Sequence, residues 1–297
     1  MIKNTLPLKE LVKKILELDI SDKLKTVKQY SDEIGASVGS IQNLLKELED
    51  NNIVTIKKRG HLGSFLESIN HDKLLEILDV QSIICSMTLP YSKKIEGLAS
   101  GINRCFDKKI IFLHVWRGSN RINLLKHNHC HFIIVSDFFA QEYLKSDSDL
   151  EIALDFGIGS YLTNHLLLYK NQNYKKVGID LSSKDHQLLT ESFFKNKNDL
   201  TFININSDEI PNAIYEGTID CGIVSFDDLE WNSDISKKGI LSEVITDNLY
   251  SERLSKAVIL INKKDLWIKK ILENYLNKDD ILQHQQDVID KKIRPIY

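Results

Sequence analysis

The chain has 297 residues, 42% of them hydrophobic and 27% charged, with a net charge of −3 at neutral pH. That length exceeds one small module and predicts two or three folding units with enough apolar material for a sizeable core. The near-balance of charge excludes a general drive toward polyanions, so any nucleic-acid contact must come from a local patch. No run approaches the ~18 consecutive apolar residues of a membrane-spanning helix. The opening residues mix Lys and Glu with Leu and Ile at helical spacing, unlike a secretory leader. Cys85, Cys105, Cys130 and Cys221 lie in or beside apolar segments without metal-ligand spacing, which predicts buried free thiols and a reducing, cytoplasmic setting.

Residues 8–18 place Leu8, Leu11, Val12, Ile15, Leu16 and Leu18 on one helical face. Two more helices are predicted over 26–34 and 37–51, meeting at a short turn around Gly35 and Ala36. On the second, Ile41, Leu44, Leu45 and Leu48 form an apolar face, leaving Val38, Gly39, Ser40, Gln42 and Asn43 exposed. A strand (Ile53, Val54, Ile56), a basic tip (Lys57, Lys58, Arg59, Gly60, His61, Gly63) and a return strand (Phe65, Leu66) complete the pattern of a winged helix-turn-helix. Small and amide side chains fit base edges in a major groove, so Ser37, Ser40, Gln42 and Asn43 are candidates for base edges or phosphates. Thr26 is a candidate phosphate anchor, and Lys57, Lys58, Arg59 and His61 are candidates for phosphates or the minor groove. Ser37 reads equally as a plain N-cap and Asn43 as a solvent-facing position. Taken alone, the three basic residues read as a solvated turn; beside the helix pattern they read as a wing.

Residues 70–79 predict a short helix capped by Asn70, a linker or dimer contact. From about residue 80, strands alternate with helices. Strands are predicted at 80–89, 109–116, 131–136, 150–157, 164–170, 175–180, 200–205, 219–226 and 255–262. Helices are predicted from Pro90 to 106 and at 117–127, 182–194, 207–217 and 264–276, with Ser182 or Ser183 as a cap. This alternation predicts an open α/β architecture with mainly parallel sheets in two lobes. The expected division is 1–69 for the DNA-binding head, 70–80 for a linker helix and 81–297 for a two-lobed α/β body, to which the resemblance described next assigns effector binding.

The stretch 87–102, MTLPYSKKIEGLASGI, resembles the start of the C-terminal domain of YhfZ-type regulators, with their Leu-Pro-Tyr-Ser junction followed by Glu-Gly-Leu-Ala-x-Gly. KVGIDLSSKDH (176–186) resembles the opening of that family's second lobe, and SVGSIQNLLKELED and GHLGSFL resemble GntR-type winged helices. The order of elements resembles the type II periplasmic-binding-protein fold that LysR-type regulators use as an effector domain. Together these cover nearly the whole chain. They imply an α/β protein with an N-terminal winged helix-turn-helix and a two-lobed, type II periplasmic-binding-protein-like domain. The function implied is transcriptional regulation, with operator DNA bound by a homodimer, a small effector bound between the lobes and no membrane partner. LysR-type regulators dimerise through a long linker helix, a role for which 70–79 is too short.

Open α/β sheets bind ligands where strands end and helices begin, and helix N-termini there offer N–H groups to anions. Four junctions share that position: Leu89-Pro90-Tyr91-Ser92, Trp116-Arg117-Gly118-Ser119, Ser136-Asp137 and Asp180-Leu181-Ser182-Ser183. Arg117 with Ser92 and Ser183 would receive a carboxylate or phosphate. Tyr91, Trp116 and Tyr161 would stack on an apolar or sugar-like portion, and Asp137 or Asp227 would hold an amine or hydroxyl. Helix capping alone accounts equally for each serine, and core packing for Trp116. The expected ligand is therefore a small anionic metabolite.

Enzymatic signatures are weak. Gly157-Ile158-Gly159 lacks the third glycine of a dinucleotide loop, and neither G-x-S-x-G nor H-E-x-x-H occurs. His127, His129 and His131 alternate and would share a face, but only Cys130 stands beside them and it points the other way. No metal or cofactor is expected. Two readings from other classes stay open: an enzyme with a DNA-binding head, and a body that serves only for dimerisation.

Overall fold

The computed structural model describes residues 5–107, 109–226, 239–245 and 252–297. The chain forms two compact units. One takes the chain up to Ile83 together with Lys264–Tyr275, the other Ile84–Lys263 with Leu276–Tyr297.

In the first unit, α1 (Leu6–Leu16) starts at Thr5, whose side chain accepts the Leu8 N–H, and buries Leu8, Leu11, Val12, Ile15 and Leu16. A capping box between Thr26 and Gln29 opens α2 (Val27–Ile34). That helix stops at Gly35, whose φ of 73° suits a residue without Cβ. Ser37 caps α3 (Val38–Asp50), which buries Ile41, Leu44 and Leu48. The wing is an antiparallel pair, β1 (Val54–Lys58) and β2 (Ser64–Ile69), joined through a short 3-10 turn at Gly60–Leu62.

Two features differ from the sequence expectation. The short helix α4 (His71–Ile77) packs on α1 with Leu74 fully buried, so it belongs to the head's core and is not a free linker. A helix from far down the chain, α10 (Leu266–Tyr275), also packs on α1. Lys270 Nζ lies 2.7 Å from Asp19 Oδ2, and the Tyr275 hydroxyl donates to Asp72 Oδ1 at 2.8 Å. An amphipathic pattern says which face is apolar but not which core receives it, so a cut at residue 80 misses this helix.

The second unit holds two five-stranded sheets. The first-lobe sheet runs β4 (Ile110–His114), β3 (Ile83–Met87), β5 (Phe132–Ser136), β12 (Ala257–Asn262), β6 (Leu150–Asp155). The second-lobe sheet runs β11 (Leu241–Val244), β7 (His165–Tyr169), β10 (Cys221–Ser225), β8 (Lys176–Ile179), β9 (Thr201–Asn204). Both sheets are mixed, which corrects the expectation of mainly parallel sheets. β3 runs parallel to β5, but β12 is antiparallel to both β5 and β6. Likewise β8 is parallel to β9 and β10, while β7 is antiparallel to β10 and β11. The cause is that the chain crosses between sheets twice, after β6 and again before β12. The Gly157–Ser160 turn is thus a passage between lobes, not the tip of a hairpin.

Helices cover the sheets: α5 (Lys93–Cys105), α6 (Gly118–Lys126), α7 (Asp137–Leu144), α8 (Lys184–Phe194) and α9 (Ile210–Glu216). Ser92 is the cap of α5, so Pro90 lies before the helix and not at its first position. Ser183, not Ser182, caps α8. Phe138 on α7 joins the second-lobe core with Leu167, Tyr169 and Ile223, which pins the lobes together.

An unanticipated helix, α11 (Lys278–Ile289), lies along α5. The approach is close because α5 presents Gly97 and Gly101; a Cβ on Gly97 would stand 2.9 Å from both Cα and O of Gln285. Gln285 is buried and its Nε2 donates to Lys94 O and Ser160 O, each at 2.8 Å, tying α11 to α5 and to the crossing. Gly97→Ala is therefore expected to destabilise the body by about 1–3 kcal/mol, since backbone on the facing helix cannot yield as a side chain can. Thermal unfolding checks this; an unchanged melting temperature would contradict the close packing.

Candidate functional site

In the head, a groove of about 700 Å³ runs between α3 and the wing. Thr26, Gln42, Lys58 and His61 line it, together with Lys23, Lys25 and Lys46, which sequence reasoning missed. Lys46 had a legible signal, since it stands one turn beyond Gln42 on the same helical face. Gln42 and Asn43 are exposed, as are Ser37 and the wing tip. Ser37 Oγ accepts the Ser40 N–H at 3.2 Å, and the Thr26 hydroxyl is engaged with Gln29, so both are structural caps. The wing cations are not equivalent. Lys57 pairs with Glu67 at 3.0 Å, and the Arg59 guanidinium lies 4.7 Å over the Phe65 ring. Lys25 pairs with Glu33 at 2.6 Å, whereas Lys46 and Lys58 have no acidic partner among the described residues.

In the body, a cavity of about 150 Å³ sits between the lobes. Thr88, Tyr91, Trp116, Arg117, Gly118 and Arg121 line it from the first lobe. The crossings contribute Tyr161, Leu162 and Leu254, and the second lobe His165, Asp180, Ser183, Asp185, His186, Ser207 and Ser225.

Arg117 caps α6 with a φ of 69°, a left-handed conformation that costs a non-glycine residue of order 1 kcal/mol and clusters at functional sites. Its Nε is buried without a hydrogen-bond partner. Arg121, only 5% exposed, donates from Nη1 to Val115 O at 2.8 Å and from Nη2 to the Tyr161 hydroxyl at 3.3 Å, and its Nε is also unpartnered. Opposite them, Asp185 Oδ2 accepts from Ser136 Oγ at 2.7 Å, a bond that spans the lobes, while Oδ1 has no partner. Burial pushes the Asp185 carboxyl up to about 6, against the opposing pull of the Ser136 hydroxyl and the Arg121 charge.

The histidines are neutral. Burial, with the nearby His186, takes His165 down to about 4. His186 accepts the Asp180 N–H at Nδ1 (3.0 Å) and donates from Nε2 to Ile223 O (2.8 Å), and burial lowers its pKa. Burial works against an ionised Asp180, but bonds from Ser182 and from the Ser207 N–H outweigh it and hold that carboxyl below its usual range.

Of the residues singled out from the sequence, Tyr91, Trp116, Arg117, Gly118, Tyr161 and Ser183 meet at this cavity. The Tyr91 and Trp116 rings stand 6.4 Å apart. Ser92 is a buried cap for Ile95 N–H, with Pro90 just before it; Ser119 and Ser182 are exposed and do not line the cavity. Ser136 acts on the cavity only through Asp185. Asp137 is committed to Arg253 Nε at 3.2 Å and to Lys256 at 3.9 Å, which removes it as a ligand acceptor. Asp227 lies outside the described residues. Arg121 was missed because it reads as an ordinary helical residue, and Asp185 because it sits inside a helix's first turn. His127 bonds the Asn123 carbonyl of its own helix end and its ring stacks 6.2 Å from that of His129, whereas His131 accepts the Ile84 N–H.

Residues 70–297 match the YhfZ C-terminal domain, and residues 19–66 match a helix-turn-helix domain. The chain is 30% identical over 284 residues to the uncharacterized protein YhfZ of Escherichia coli (strain K12), covering 93% of this chain and 91% of that protein. The crystal structure of YhfZ from Shigella flexneri superposes with a TM-score of 0.66 at 28% identity, covering 76% of this chain and 97% of that one. The BvgS VFT2 domain of Bordetella pertussis is similar in fold alone, with a TM-score of 0.50 at 9% identity over 74% of this chain and 98% of that one. With its helix-turn-helix head and its body of two mixed sheets, the chain belongs to the YhfZ family.

Proposed function

We propose that the chain is a transcription regulator that binds operator DNA as a homodimer through its head and a small anionic metabolite in the inter-lobe cavity of its body. The observation that carries the ligand half is the pair of arginines, each with a buried, unpartnered Nε, in one cavity between lobes. Buried polar atoms are nearly always paired in native proteins, so a cluster of unpaired ones supports reading this cavity as a receptor. The DNA half rests on the helix-turn-helix head and on the unpaired Lys46 and Lys58 flanking the Gln42 face of α3. A ligand that prefers closed lobes shifts their equilibrium, and a coupling of ~1–3 kcal/mol is enough for useful switching. The chain passes between the two units at 83/84, 263/264 and 275/276, which gives the signal three covalent routes.

The head is tested by gel shift on a fragment carrying the protein's own promoter. Lys46→Ala and Lys58→Ala should each weaken binding to any duplex and reduce the slope of log affinity against log salt by about 1. Asn43→Ala should instead alter sequence preference; no effect from all three would remove the head assignment. In the same assay Arg117→Ala should abolish the effect of added metabolite extract on DNA affinity while leaving binding without extract intact. An unchanged response would exclude Arg117 from the site.

A pH test follows from Asp185, which faces the Arg121 guanidinium and the Tyr161 phenol. Its carboxyl is raised from 3.8 to about 6 in the folded protein, so the folded state holds the proton more tightly than the unfolded one. The charged form thus costs stability above pH ~6, a cost that vanishes as pH falls toward ~4. Asp185→Asn should stabilise the empty protein by about 1–3 kcal/mol at pH ~7.5, with the gain shrinking by pH ~4.5. A lowered melting temperature at pH ~7.5 would show that the carboxyl is not desolvated.

A further inference from the structure

Among the described residues, the cavity's unpartnered atoms are of both kinds: Arg117 Nε and Arg121 Nε are donors, Asp185 Oδ1 is an acceptor. Resting on the reading of this cavity as the effector site, we infer that its ligand is a small amino-carboxylate, whose carboxylate meets the two arginines and whose ammonium donates to Asp185 Oδ1. A purely anionic ligand would satisfy the guanidinium groups and set a like charge beside a bare carboxylate oxygen. An uncharged ligand would leave both arginines without a counter-charge.

Asp180, His186 and the nearby Asp137 are already engaged. Asp180 receives the Ser182 N–H and hydroxyl on Oδ1 and the Ser207 N–H on Oδ2. His186 uses both ring nitrogens, and Asp137 is held by Arg253. Among the described residues lining the cavity, Asp185 is the acid with an oxygen left for the ligand. Its Oδ2 already takes a neutral hydroxyl donor from Ser136, and an ammonium would give Oδ1 a charged donor, the stronger kind of hydrogen bond. Trp116, 45% exposed beside Tyr91, marks the open end, where an apolar side chain would lie across the rings.

The test is titration calorimetry of the full chain near neutral pH with five probes: norvaline, its hydroxy-acid analogue, valerate, pentylamine and inorganic phosphate. Norvaline should bind roughly ten- to a hundredfold more tightly than valerate, because only it pairs Asp185 through a charged hydrogen bond. Asp185→Asn should bring that ratio down to about threefold or less. Equal binding of norvaline and the hydroxy acid would overturn the ammonium. Valerate or phosphate binding as well as norvaline would overturn the zwitterion and leave the anion receptor standing. Pentylamine binding best, or no binding by any probe at millimolar concentration, would overturn the anion reading as well. A full norvaline preference retained in Asp185→Asn would remove that residue from the role.

Discussion

Ala257–Asn262 is buried along its whole length, with β5 hydrogen-bonded to one edge and β6 to the other. The strand reaches that slot only after the chain has built the second sheet, so the first sheet cannot be completed before the chain has visited both lobes. Two passages between sheets follow of necessity, and they must lie side by side where the lobes meet. Tyr161 and Leu254 occupy those passages and line the cavity, so the segments that join the lobes also wall the space between them. The backbone there is well anchored. Ser255 Oγ accepts the Gly159 N–H, Ser160 Oγ accepts the Ala257 N–H, and Lys94 Nζ donates to Gly159 O.

The cavity is built at some cost to the empty protein. A strained Arg117, two guanidinium nitrogens without partners and a carboxyl lifted by burial all work against stability. Strain of this kind persists where surrounding structure over-determines it. Here that support is identifiable: Val115 O and Tyr161 fix Arg121, and Ser136 fixes one Asp185 oxygen while leaving the other free. With His165 and His186 neutral, the charges lining the cavity are those of Arg117, Arg121, Asp185 and the internally bonded Asp180.

Much of this was legible in the chain. The 3.6-residue period of Ile41, Leu44 and Leu48 fixed the face of α3, and Ser37 before it marked the cap. The strand-to-helix junctions located one wall of the cavity, because a strand end in an α/β sheet has a defined place in space. What escaped were residues whose position depends on pairing between distant segments. Strand direction in a mixed sheet is set by which sheet the chain returns to, and apolar runs such as Ala257–Asn262 carry no such information. Arg121 sits mid-helix and Asp185 in a first turn, where charged residues are commonplace. Their role appears only once the two lobes are opposed. The partners of α10 and α11 were hidden for the same reason, since Gly97 and Gly101 read as poor helix formers until a second backbone lies against them.

The placement of α10 bears on how such a protein can be inherited and rearranged. The reading head is not a bead that can be clipped from the amino terminus, because one of its core helices is encoded nearly two hundred residues downstream. Joining the first eighty residues to a different body would leave an oily stripe of α1 bare. Gene fusions that shuffle heads among bodies would therefore have to carry both pieces or repaint that stripe. A lineage with this layout is bound to keep its head and body together as one hereditary unit.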